Sequence, residues 1–175
     1  MKFSQIDRIV DLQPGKSITA TRALSLSEGY LADHFPRFPV FPGVLMLEGC
    51  YQAGMFLAMA TDRFRHSSTR LKAAHQVKFR DFLEPGNQLR LEVTWKNHQD
   101  SLIQMQAAGK IEGQTAIKAR LVVELFNLAD RGLAPTAHDE LARSARQNEL
   151  LQLLDPRGNL KKQLAHHMTC QESDP

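Results

Sequence analysis

Cysteine is nearly absent from this chain. Two occur in 175 residues, Cys50 in an apolar stretch and Cys170 in a polar one. Neither sits in a CxxC spacing, which argues against a disulfide framework and a cysteine-based zinc site. A reducing compartment is the default for such a chain. Stacking aromatics are also scarce, with one Trp and two Tyr. The net charge is only +3, and no Lys/Arg run reaches the length of a basic tail, so nucleic acid is not an expected partner. The seven histidines show no HExxH or HxxxH spacing, and no metal site or cofactor is expected. The longest apolar run is interrupted by Glu48 and Gln52, which argues against a membrane span. Residues 1–8 lack the apolar core of a signal peptide, so the expected location is cytoplasmic.

What the chain does have is enough apolar residue, 42% against 23% charged, to build one domain with a real core. Residues 6–12, the Pro14-Gly15 pair and residues 17–26 read as strand, type II turn and strand. Residues 30–43 hold three prolines, each of which pushes its predecessor towards extended geometry; this is a stiff loop. Pro42-Gly43 then opens a helix expected from Val44 to about Arg63. Its apolar residues fall nearly all round, the mark of a buried helix. A polar loop over 64–70 is expected next. Strand-like runs follow at 74–83, 89–95, 102–111 and 116–126, separated by turn signals near residues 86, 99 and 113.

One long buried helix with about six antiparallel strands is an α+β layout. A sheet wrapped around such a helix is the hot-dog fold. Residues 129–175 differ in character, with a helix expected over 139–154 and a weaker one over 160–168. The expected organisation is therefore a domain of residues 1–128 and a helical extension, partly disordered, over 129–175.

The chemistry concentrates in His34-Phe35-Pro36 and Pro42-Gly43-Val44-Leu45-Met46-Leu47-Glu48. A histidine in a proline-stiffened loop can act as a base near neutral pH. A carboxylate among apolar neighbours is expensive unless it is partnered or used, and Glu48 is expected to be buried. Gly43 stands at a helix start, where backbone N–H groups lack intrahelical partners and the dipole favours negative charge. Gln52 lies four residues beyond Glu48 and shares its helix face.

These segments, with Ile6-Asp7-Arg8-Ile9, Val77-Lys78-Phe79-Arg80 and Pro85-Gly86-Asn87-Gln88-Leu89, resemble the 3-hydroxyacyl-[acyl-carrier-protein] dehydratases over about residues 5–126. The resemblance implies loss of water from a 3-hydroxyacyl thioester to give a trans-2-enoyl thioester. It implies that His34 is the base, Glu48 the acid and the Gly43 amide the oxyanion donor. Gly43, Gln52, Phe35 and Val44 are expected to line the substrate site. A glutamate at position 48 resembles the branch that dehydrates without isomerising. The implied partners are acyl carrier protein, which bears the substrate on phosphopantetheine, and a second copy of the chain, with a trimer of dimers as the larger form. Arg37, Arg63, Arg65, Arg70, Lys72 and Arg80 are the candidate cations for an acidic carrier. Arg37-Phe38 departs from the family's Gly-Lys at that place, and His75 stands where an acidic residue is usual. Two rival readings share the fold: a non-catalytic acyl-binding partner subunit, and an acyl thioesterase.

Overall fold

The computed structural model describes residues 3–154 and Leu164. Two strands, β1 (Arg8–Gln13) and β2 (Ser17–Ala23), lead to a one-turn 3-10 helix (Gly29–Ala32) and the long helix α1 (Gly43–Thr61). Strands β3 (Ser68–Phe79), β4 (Gln88–Gln99), β5 (Leu102–Ile111) and β6 (Gln114–Phe126) follow. A second 3-10 turn (Ala129–Arg131) precedes helix α2 (Thr136–Leu153). The strands form one sheet in the order β1-β2-β4-β5-β6-β3, and every pairing is antiparallel. With α1 packed against it, this is the hot-dog fold that the order of elements implied.

The hairpin turns are set locally. The Lys16 amide donates to the Gln13 carbonyl at 2.9 Å across Pro14-Gly15, with Gly15 at φ 74. That is the type II turn the dipeptide favours. The Gly15 amide then donates to Thr61 Oγ1 at 2.7 Å, which ties the first hairpin to the end of α1.

The bounds of β3 and β4 differ from the sequence expectation. Strand β3 begins at Ser68, inside the stretch expected to be a polar loop, and ends at Phe79 rather than at 83. Pairing with β6 decides it: Ser68 lies opposite Phe126, and Arg70 opposite Glu124. Arg70 and Lys72 both reach the Glu124 carboxylate, so polar side chains serve the outer face of a paired strand. Strand β4 runs on to Gln99 through a register shift between Trp95 and Asn97. The extra residue hides the alternation that marks its first half.

Helix α1 is buried most completely over Ala53–Ala60. Its close approach to the sheet needs small residues. A Cβ on Gly54 would stand 3.0 Å from Met105 Sδ, and one on Gly49 3.1 Å from Leu91 Cδ1. The length and mean hydropathy of α1 suit a membrane span, but the helix lies in the core of this fold.

Helix α2 starts at Thr136, three residues before the expected position, and docks on the main body. The buried Asp139 carboxylate accepts hydrogen bonds from Ser67 Oγ, the Leu128 amide (2.8 Å) and the Ala129 amide (3.3 Å). Arg143 Nη1 donates to the Arg65 carbonyl at 2.9 Å. Leu150 and Leu154 join the core cluster, and Leu154 bridges Ile9. The weaker helix expected over 160–168 lies outside the described residues apart from Leu164, which is buried.

The Ser67 hydroxyl, helped by the two amides, holds the Asp139 carboxyl below its ordinary range against the opposing effect of burial. Arg70, then Arg131, does the same for Glu124. A carboxyl depressed in the folded state stabilises above its unfolded pKa, about 4, and loses that contribution as the pH falls through the folded value. The urea midpoint is therefore expected to fall on acidification below about pH 4. Asp139→Asn should lower the midpoint at neutral pH and flatten its acid limb.

Candidate active site

The loop that carries His34 is built on an ion-pair network. Arg22 pairs with Asp7 (3.0 Å) and with Glu28, and its guanidinium lies 5.8 Å from the Phe41 ring centre. Tyr30 donates to Glu28 at 2.7 Å. Burial, then that hydrogen bond, pushes the Tyr30 phenol above its ordinary range. The Tyr30 carbonyl in turn accepts the His34 amide at 3.0 Å. Phe35 follows in the left-handed region at φ 55, uncommon for a bulky residue. Its carbonyl accepts the Phe38 amide at 2.7 Å, closing a turn over Pro36-Arg37. The half-buried His34 ring sits against Phe35 with centroids 4.4 Å apart.

Gly43 is the first residue of α1. The first bonds at this end run from the Leu45 and Met46 amides to the Pro42 carbonyl, at 2.9 and 3.3 Å. The Gly43 and Val44 amides precede them, where the helix supplies no acceptor. The Phe79 ring covers Gly43 so closely that a Cβ there would stand 3.1 Å from two ring atoms. A side chain at Gly43 would therefore need the half-exposed Phe79 ring to give way.

Glu48 and Gln52 lie one turn apart on α1, and Gln52 Nε2 donates to Glu48 Oε1 at 2.8 Å. The same nitrogen donates to the Phe3 carbonyl at 2.9 Å, and Gln52 Oε1 accepts the Gln5 amide at 2.7 Å. One amide therefore fixes the carboxylate's rotamer and the chain entering β1. The expectation of a fully buried Glu48 does not hold: the residue is half-buried at a cavity of about 590 Å³. The partly open stripe Val44, Leu47, Glu48, Tyr51 on α1 leaves the carboxylate accessible.

Tyr51, Met55 and Phe56 continue the cavity along α1, Ser68 and Thr69 add the start of β3, and Arg146, Asn148, Glu149 and Gln152 of α2 stand across from them. Tyr51 Oη lies 3.0 Å from Thr69 Oγ1. Burial pushes its phenol up, and the Glu48 charge adds to this. Sequence reasoning missed Tyr51, although its position three residues after Glu48 was signal enough. It could not find the α2 side chains, because nothing local says where an extension docks.

His34 is not among the residues that line the Glu48 cavity within one chain. It belongs to a different surface. Phe35, Phe38, Val44, Phe79 and Phe82 are all at least half exposed, and Phe38 meets Phe82 edge-on at 6.1 Å. Phe35 and Val44 thus sit on an open apolar face around the start of α1. Cys50 is fully buried, and burial pushes its thiol up to about 12, which rules it out as a nucleophile.

The FabA-like domain family matches residues 1–120, and the chain belongs to that family. It is similar to the 3-hydroxyacyl-[acyl-carrier-protein] dehydratase FabZ of Lactobacillus helveticus, 34% identical over 116 residues that cover 66% of this chain and 78% of the relative. It is also similar to the FabZ of Desulfotalea psychrophila, 35% identical over 122 residues, 69% of this chain and 81% of the relative. Among solved structures, the dehydratase heterocomplex ApeI:P from Xenorhabdus doucetiae has the same fold, with TM-score 0.61 at 13% identity, covering 73% of this chain and 86% of that one. So does a hypothetical thioesterase with coenzyme A from Streptococcus pneumoniae, with TM-score 0.55 at 10% identity, covering 69% and 88%.

Gln52→Leu removes three hydrogen bonds at one stroke and strands the Gln5 amide, a loss of about 1–3 kcal/mol for a buried donor. Hydrogen exchange should show the Gln5 amide losing protection while the amides of β5 and β6 keep theirs.

Proposed function

We propose that the protein dehydrates 3-hydroxyacyl-acyl carrier protein thioesters to trans-2-enoyl thioesters in fatty acid or related acyl chain synthesis. The observation that carries this is the accessible Glu48 carboxyl, oriented by Gln52, lining the cavity and placed on the helix whose first amide belongs to Gly43. The thioesterase in the same fold does not weigh against this reading, because the relatives found by sequence are dehydratases.

In this mechanism neutral His34 takes the proton from the carbon next to the thioester carbonyl. Negative charge builds on the carbonyl oxygen, where the Gly43 amide donates to it. Removing one such donor typically costs about 2.7–4 kcal/mol. The bond to the hydroxyl then breaks. Protonated Glu48 supplies its proton, and water leaves. Transfer of the proton held by His34 back to Glu48 restores both groups. Gln52 fixes the carboxyl rotamer, and Phe35 and Val44 contact the substrate.

A homodimer completes the site. The open aromatic face around Phe38, Phe79 and Phe82 supports this, as does the separation of His34 from the Glu48 cavity of its own chain. Each site then takes His34 from one subunit and Glu48 from the other. Residues 1–128 form the catalytic domain and 129–175 an extension, and the protein works in the cytoplasm.

The acyl carrier protein docks on cations of the sheet's outer face. Of the cations singled out in the sequence, Arg65 is paired with Asp62, and Arg70 and Lys72 with Glu124. Arg80 adjoins a different group. Lys78 lies directly opposite Lys118 on β6, His75 opposite Arg120, and Lys78, Arg80, Lys118 and Arg120 share one groove. Like charges directly opposite across a ladder destabilise it, and an acidic partner relieves that repulsion.

His34→Ala and Glu48→Gln are each expected to reduce turnover by about 10²–10⁴-fold with little change in melting temperature. Coexpression of the two variants is the sharper experiment. Random dimers with shared sites should recover about a quarter of wild-type activity. Sites complete within one chain would recover none.

Lys118→Glu should raise KM for a carrier-linked substrate several-fold and leave kcat near wild type. KM for the same acyl group on pantetheine alone should not move. Added salt should mimic the substitution on the wild type, because surface charges are screened over about 10 Å at 0.1 M.

A further inference from the structure

Helix α2 lies beyond the residues that the FabA-like family matches, yet it forms one wall of the Glu48 cavity. Beyond Glu48, Tyr51 and Gln52, helix α1 offers the buried side chains of Met55 and Phe56, whereas α2 offers mainly polar groups opposite them, Arg146, Asn148, Glu149 and Gln152. Arg146 Nη1 donates to Glu149 at 2.7 Å, which uses one of a guanidinium's five donors. Its charge is felt inside the cavity, since it opposes the effect of Glu48 on the Tyr51 phenol. A plain alkyl chain laid along this wall would displace water from amide and guanidinium groups and return no hydrogen bond. A chain with an oxygen acceptor at that depth would replace the water. A polar group left unpaired on binding weakens affinity by roughly tenfold or more.

We propose that the α2 wall is a specificity subsite for acyl chains carrying a hydroxyl or carbonyl oxygen beyond the reacting carbons, in preference to unsubstituted alkyl chains. Arg146, Asn148 and Gln152 are its recognition groups. The proposal rests on the reading that the acyl thioester enters the Glu48 cavity.

The test compares two unreactive acyl-pantetheine thioethers of equal length, one plain and one hydroxylated near its end. Calorimetry on the full chain measures both affinities, and kcat/KM is measured with the matching 3-hydroxyacyl-pantetheine thioesters. The wild type should bind the hydroxylated probe about tenfold tighter or better. Arg146→Leu/Asn148→Leu/Gln152→Leu should abolish or invert that ratio. The single variant Arg146→Met, at a partly exposed side chain, should reduce it several-fold and decides the matter if the triple variant does not fold. Equal wild-type affinities, or a ratio unchanged in a folded variant, overturn the proposal. Binding is read without turnover. Discrimination without water loss would therefore refute the dehydratase reading and leave the subsite standing, and water loss without discrimination would do the opposite.

Discussion

A helix segment that is apolar all round has to be covered all round, and the second half of α1 imposes that condition on the rest of the chain. One six-stranded sheet meets it by curving round the second half of the helix, where Ala53–Ala60 are all buried. Small residues set the spacing, because Gly49 and Gly54 let Leu91 and Met105 approach to contact distance. Side chains there have no freedom to do chemistry. The first half of α1 is covered on one side only, and the polar groups Glu48 and Gln52 occur there. The position of the site follows from how far the sheet reaches along its helix.

The uncovered half is held by polar contacts rather than by apolar burial. Gln52 uses both ends of its amide on the Glu48 carboxylate and on the backbone at Phe3 and Gln5. The His34 loop hangs from Arg22 through Glu28 and Tyr30. These two anchors are separate networks on separate elements, and among the described residues of one chain neither network joins His34 to Glu48. Directional bonds of this kind fix rotamers while leaving the faces of the groups accessible. Packing fixes a side chain by enclosing it, which would close the site.

How much of this was legible in the sequence depends on the range of the signal. Pro14-Gly15, Pro42-Gly43 and the all-round apolar pattern of α1 are local, and each appears in the structure where it was read. Strand β3 was misplaced because Arg70 and Lys72 look like loop residues until Glu124, 54 positions away from Arg70, supplies their partner. The burial of Glu48 was overestimated for a related reason. Its neighbours in sequence are apolar, but helix geometry turns it to the side that the sheet leaves open. Gln52 was recognisable from its spacing, whereas its hold on Phe3 and Gln5 spans nearly fifty residues and left no local trace. The Arg146 wall was invisible for the same cause.

Helix α2 shows how an extension can join a site without disturbing the domain beneath it. Its start is fixed by one carboxylate: Asp139 satisfies the Ser67 hydroxyl and the amides of Leu128 and Ala129, groups that a polar residue must serve once they are covered. Its far end is fixed by apolar burial of Leu150 and Leu154. Between these anchors the face towards Glu48 carries Arg146, Asn148 and Gln152, none of which contributes to the core cluster. Substitution there exchanges solvated polar surface and leaves docking intact, so its cost in stability is that of an ordinary surface change, about 0.5 kcal/mol or less. Gly43, Glu48 and Gln52 belong to α1, whose packing against the sheet ties them to the core. The α2 wall is free of that tie, so its side chains can change while the core packing stays fixed.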